Sequence, residues 1–166
     1  VARAHLESAE ELLAVDGGMA MRAQVAADLA LICFRVDDAR AEERGEQALR
    51  LAQESGDAVA MSQSMNVMGV LACHRGDLDA AACYLEGSRD HARLASSNEL
   101  NVAALNNLAR MYAQKGAIDD ALSAAEQALE LGLAQGDLHR AAALHDHVAD
   151  LCHRAGRQAD ALQHLK

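Results

Sequence analysis

The chain has 166 residues and a formal net charge of -10, from 15 Lys and Arg against 25 Asp and Glu. That balance argues against a non-specific nucleic-acid binder, which needs Lys and Arg concentrated on one face. Phe34, Tyr84 and Tyr112 are the whole aromatic content, proline is absent and alanine is abundant, a composition that suits close-packed helices and not a β fold.

Taken in order, the chain reads as helices separated by short turns. Residues 1 to about 14 look like a single helix that stops at Asp16-Gly17-Gly18. Apolar and small residues at steps of three and four then place four longer helices at about 19–34, 57–74, 97–114 and 138–154. Each is followed by a second helix, at about 38–54, 78–95, 118–134 and 158–166. The turns fall at Gly56-Asp57, Gly76-Asp77, Ser96-Ser97-Asn98, Gly116 and Gly136-Asp137. There glycine enters the left-handed conformation that ends a helix, and Asp, Ser or Asn can cap the next. Arg75, Lys115 and Arg154 sit just before three of the glycines, where the helix dipole favours a cation. In the first hairpin Val36 takes the glycine slot, with Asp37-Asp38 left to cap.

The hairpins repeat. Displacing the sequence by 40 residues superposes Gly76, Gly116 and Gly156, then Ala41, Ala81, Ala121 and Ala161. Ahead of the glycines lie the pairs Asp28-Leu29, Met68-Gly69, Leu108-Ala109 and Val148-Ala149, and three residues further Ile32, Ala72, Tyr112 and Cys152. A fixed period of this kind marks a solenoid, in which each unit buries its apolar face against its neighbours. Val1 falls on the alanine slot of a second helix and Lys166 lies partway through another, so both ends read as cut within the repeat, in a piece of a longer protein.

Leu105, Leu108-Ala109, Tyr112, Gly116, Ala121, Ala125 and Ala128 resemble the consensus of the tetratricopeptide repeat (TPR), and the period resembles its longer forms in kinesin light chains and bacterial regulatory proteins. The aromatic slot departs from it, being filled by Gly45, Leu85, Ala125 and Leu165, which implies leaner packing between helices. The resemblance implies an all-α, right-handed TPR-like α-solenoid of antiparallel helix hairpins. Residues 1–17 would be the second helix of a truncated unit, followed by units at 18–56, 57–96, 97–136 and 137–166, the last also truncated.

It further implies a concave groove lined by first helices, and a non-enzymatic module that binds a protein or peptide within a larger, bacterial regulatory or signalling protein. The groove residues would be Asn66, Asn106, Arg110, Asp146, Asp150 and Arg154. An asparagine amide both donates and accepts, so Asn66 and Asn106 can pair with the backbone of an extended peptide; the alternative is that they bond only to neighbouring helices or water. Arg110 or Arg154 would meet an acidic side chain or a terminal carboxylate. The carboxylate clamp of chaperone-binding TPR proteins is not matched by Ala26 and Ala30, or by Asn66 and Val70.

Other classes are less well supported. No glycine-rich phosphate loop, G-x-S-x-G elbow or Cys, His and Asp set is present, so no catalytic residues and no cofactor are expected. The densest histidine stretch, His145 to His153, would be a small metal-dependent site as a minor alternative; His145 and His147 point in different directions on a helix. The other alternative is a self-associating or spacer element that positions an attached ATPase, cyclase or DNA-binding domain, with homo-oligomers formed through apolar ends. Cys33, Cys73, Cys83 and Cys152 form no C-x-x-C pair and read as packing residues of a reduced, cytoplasmic protein. No membrane association is expected, because no apolar run nears the roughly 20 residues that span a bilayer.

Overall fold

The computed structural model describes residues 2–136 and 138–165. Val1, Asp137 and Lys166, to which the sequence assigned a repeat slot, a cap and the end of the last helix, lie outside them. The regular structure among the described residues is entirely helical. It divides into two compact units, Val1–Ser97 and Asn98–Lys166.

The first unit holds α1 (Ala2–Asp16), α2 (Met19–Arg35), α3 (Ala41–Ser55), α4 (Ala58–Arg75) and α5 (Leu78–Leu94). The second holds α6 (Asn98–Lys115), α7 (Ile118–Ala134), α8 (Leu138–Arg154) and α9 (Gln158–His164). Within each unit every helix packs on the next, and in the first unit α2 also packs on α4. Each is thus a solenoid-like stack of helix hairpins.

The punctuation follows the sequence. Gly56, Gly76, Gly116, Gly136 and Gly156 all have positive φ, between 66° and 82°, a conformation that costs glycine nothing sterically. Asp57 and Asp77 cap α4 and α5, their carboxylates accepting from the backbone N–H of Ala60 at 2.8 Å and of Ala80 at 3.1 Å. The turn after α2 differs from expectation. Its left-handed residue is Asp37, with φ 54°, one position beyond the glycine slot. Asp38 then accepts from the Arg40 backbone at 3.0 Å and from the Arg40 guanidinium at 2.8 Å, and α3 begins only at Ala41. An aspartate tolerates this conformation where valine does not.

Small residues set how closely the helices of the first unit approach. Gly45 on α3 is buried, and a Cβ there would lie 2.9 Å from Met68 Sδ and 3.0 Å from Leu71 Cδ1. The slot that lacks an aromatic is therefore filled from the facing helix α4. On α4 and α5, the fully buried Ser62 and Ser88 bond reciprocally. Ser62 Oγ donates to the Ser88 carbonyl at 2.9 Å, and Ser88 Oγ to the Ser62 carbonyl at 2.8 Å. Where α2 meets α4, Gln63 donates to Asp28 at 2.9 Å, and Phe34 and His74 meet edge to face with centroids 5.1 Å apart. Burial raises the Asp28 carboxyl above its usual range, and the bond from Gln63 opposes that.

Ser64, also fully buried on α4, has no hydrogen-bond partner for its Oγ among the described residues. An orphaned buried hydroxyl costs stability, and alanine is the better helix former. We therefore expect Ser64→Ala to raise the free energy of unfolding, by about 1 kcal/mol, in a urea titration. An unchanged or lowered midpoint would mean that Ser64 is paired in solution.

Candidate functional site

In the second unit the two first helices, α6 and α8, are joined by three side-chain bridges. Arg140 donates to Glu99 at 2.9 Å, His147 Nδ1 to Asn106 Oδ1 at 2.7 Å, and Arg154 to the Ala113 carbonyl at 2.8 Å. Each joins residues 41 apart in the chain, and on both helices the bridges recur every seven residues. Seven residues are nearly two helical turns, so the three bridges share one face and stand about 10.5 Å apart. Their common direction of advance makes α6 and α8 parallel.

Long side chains at the bridges, and alanines between them, hold open a cleft of about 330 Å³ between the first two bridges. Ala103 and Ala143 leave the space, buried Val102 and Leu144 form its floor, and Glu99, Arg140 and Asn106 edge it. The lining is an apolar slot with a hydrogen-bonding amide at one end and an ion pair at the other.

The middle bridge is the polar centre of this face. Because Asn106 Oδ1 only accepts, His147 Nδ1 carries the proton, and the amide N–H groups of Asn106 are the donors it has left. Burial lowers the pKa of His147, Arg110 and Arg154 lower it further, and Asp150 opposes them. His147 is therefore neutral at pH 7. Between this lowered value and the ordinary 6.5, the unfolded chain binds more protons than the folded one. The contribution of His147 to stability is present above pH 6.5 and is lost as the pH falls below it. We expect urea midpoints measured between pH 5 and pH 7 to fall less steeply in His147→Gln than in the parent chain. Equal slopes would show that His147 is not buried as described.

The structure divides the residues singled out from sequence. Asn106, Arg110 and Arg154 belong to the α6 and α8 face, with Arg110 exposed and Arg154 spanning the two helices. Asp150 stands 4.0 Å from Arg154. Asp146 and Asp150, both exposed, line a second cleft of about 400 Å³ between α8 and α9, with His153, Leu162 and Leu165. Asn66 lies half-buried on α4 in the first unit, where it has interactions of its own. The histidines of the 145–153 stretch part company: His145 meets His164 of α9, His147 meets Asn106 of α6, and His153 is exposed. Among the described residues, no three or more His, Cys, Asp or Glu side chains gather as a metal-binding group.

Glu99 and Arg140 were not anticipated from sequence, and His147 was considered there only as part of a metal site and not as the partner of Asn106. Their signal is a set of complementary residues 41 apart and seven apart along each helix, which a comparison at the 40-residue period does not detect. The four cysteines are thiols outside any disulfide, with Cys33 and Cys152 buried, and burial raises the Cys152 thiol. No helix among the described residues is long and apolar enough to cross a membrane.

The fold and this face define an all-α protein of stacked helix hairpins with an open surface between two parallel helices. No known family model matches the chain. No curated protein sequence matches it either.

Proposed function

We propose that the chain is a TPR-like, non-enzymatic module that binds an extended peptide along the first-helix face of α6 and α8. The observation that carries this reading is the bridged, alanine-lined cleft beside Asn106, whose orientation His147 fixes before any ligand arrives. A pre-oriented amide loses less freedom on binding than a mobile one, and it can satisfy a peptide backbone without reading its side chains. Exposed Arg110 supplies a cation for an acidic group of the ligand. In this reading the module serves a larger bacterial regulatory protein in the reducing cytoplasm, an assignment with which its cysteine thiols agree. A second reading, self-association, draws on Leu162 of α9 and Leu165 just after it, which are 62% and 61% exposed.

The first reading is tested by selecting binders to the immobilised chain from a library of unstructured ten-residue peptides. Enriched peptides should bind Asn106→Ala about 3- to 10-fold more weakly, the loss of one hydrogen bond of about 0.5–1.5 kcal/mol. Peptides that bind the variant equally well would remove Asn106 from the site. A library that yields none would remove the peptide-binding reading.

A further inference from the structure

The fourth hairpin differs from the others at one contact. In the 40-residue register, the positions of His145 and His164 correspond to Leu105 and Ala124, Met65 and Tyr84, and Val25 and Arg44. In the preceding hairpin of the same unit, Leu105 and Ala124 are both buried apolar residues. The last hairpin instead has a histidine from each helix, and the two rings meet. Their Nδ1 atoms are 3.0 Å apart and their centroids 5.2 Å apart, with the planes tilted by 46°. Both rings are half-buried, so a small solute can reach them.

We propose that His145 and His164 form a two-histidine site for a first-row divalent cation of the Zn²⁺ class, bridging α8 and α9. Neutral imidazole is a favoured ligand of Zn²⁺. With Zn–N distances of about 2.0–2.1 Å and a tetrahedral angle at the metal, the two nitrogens would be about 3.4 Å apart. Reaching that from 3.0 Å requires a few tenths of an ångström of widening. Each ring must also turn by about 35° so that its lone pair points at the metal and not along the N···N line.

Proton balance is simple. In the metal-free pair one Nδ1 carries the proton of an N–H···N bond and the other accepts it. On binding, that proton moves to Nε2 of its own ring, both Nδ1 lone pairs go to the metal, and no net proton is released from the neutral pair. Water fills the remaining positions, because no third ligand-type side chain joins the pair among the described residues. This pairing is not the 145–153 stretch noted in the sequence, since its two ligands come from different helices. It would also secure α9, a seven-residue helix whose one buried side chain is Ala161.

The test is calorimetric titration of the whole chain, freed of metal by chelation, with Zn²⁺. Thermal unfolding with and without the metal accompanies it. The parent chain should take up about one equivalent and unfold at a higher temperature with metal. His145→Gln and His164→Gln should each weaken binding by at least about tenfold and abolish the thermal shift. His139→Gln and His153→Gln should change neither. Nitrogen NMR of the imidazoles provides a readout without variants: the Nδ1 signals of these two rings should move on adding Zn²⁺. No saturable uptake, equal binding by all four variants, or Nδ1 signals of both rings that stay in place would each overturn the proposal.

Discussion

Leu85→Ala should lower the free energy of unfolding by about 2–5 kcal/mol, the range for a large aliphatic side chain removed from a close-packed interior. Leu85 is fully buried on α5, and it sits over Gly69 of α4. A Cβ added at Gly69 would lie 2.5 Å from both Cγ and Cδ2 of Leu85. The branch point of the leucine thus fills the space left by the glycine, and it cannot swing aside as the end of a flexible chain would. Gly69→Ala alone is therefore expected to destabilise, because overpacking of about 1–3 kcal/mol outweighs a helix-propensity gain of at most about 1 kcal/mol. In the Leu85→Ala background the obstruction is gone, and the same Gly69→Ala change should stabilise by about 0.5–1 kcal/mol. A reversal of sign between the two backgrounds, measured by denaturant titration, is the signature of direct contact. Equal effects in both would show that the two residues do not touch.

The second large effect concerns the reciprocal serines. Ser62→Val should cost about 2–4 kcal/mol, the sum of one lost hydrogen bond and the overpacking by one added methyl group at a site with no exposure. Ser62→Ala loses only the bond, at about 1 kcal/mol, since the Ser88 carbonyl remains within its own helix ladder. The gap between the variants measures how closely α4 and α5 approach. If valine costs no more than alanine, the serines are there for their hydroxyls and not for their size.

Much of this architecture could be read from the residues. The five glycines that end helices do so because their φ is positive, and Asp57 and Asp77 cap because their carboxylates reach N–H groups three residues on. Both are local effects, carried by adjacent residues. The turn after α2 was read less well, since a left-handed aspartate can stand in for glycine at a neighbouring position and shift the following helix start. Ser88 shares its repeat slot with Ala48 and Ala128, both buried, so its burial was legible although its bond to Ser62 was not.

The candidate site was harder. Asn106 stood out by its chemistry, but His147, which holds it, lies 41 residues away and not 40. That extra residue reflects the axial offset between α6 and α8, a property of packing that no single helix encodes. Arg154 was expected to meet a ligand, and its guanidinium instead donates to the Ala113 carbonyl, joining the helices that the ligand would lie across. The same limit hid the pairing of His145 with His164, which depends on how α9 lies on α8.

The most direct measurement of the central proposal is amide chemical-shift mapping of the isotope-labelled chain with a selected peptide. Shifts concentrated on α6 and α8, around Ala103, Asn106, Ala143 and His147, are the expected result. Shifts concentrated on α7, or around Leu162 of α9 and Leu165 just after it, with α6 undisturbed, would contradict it.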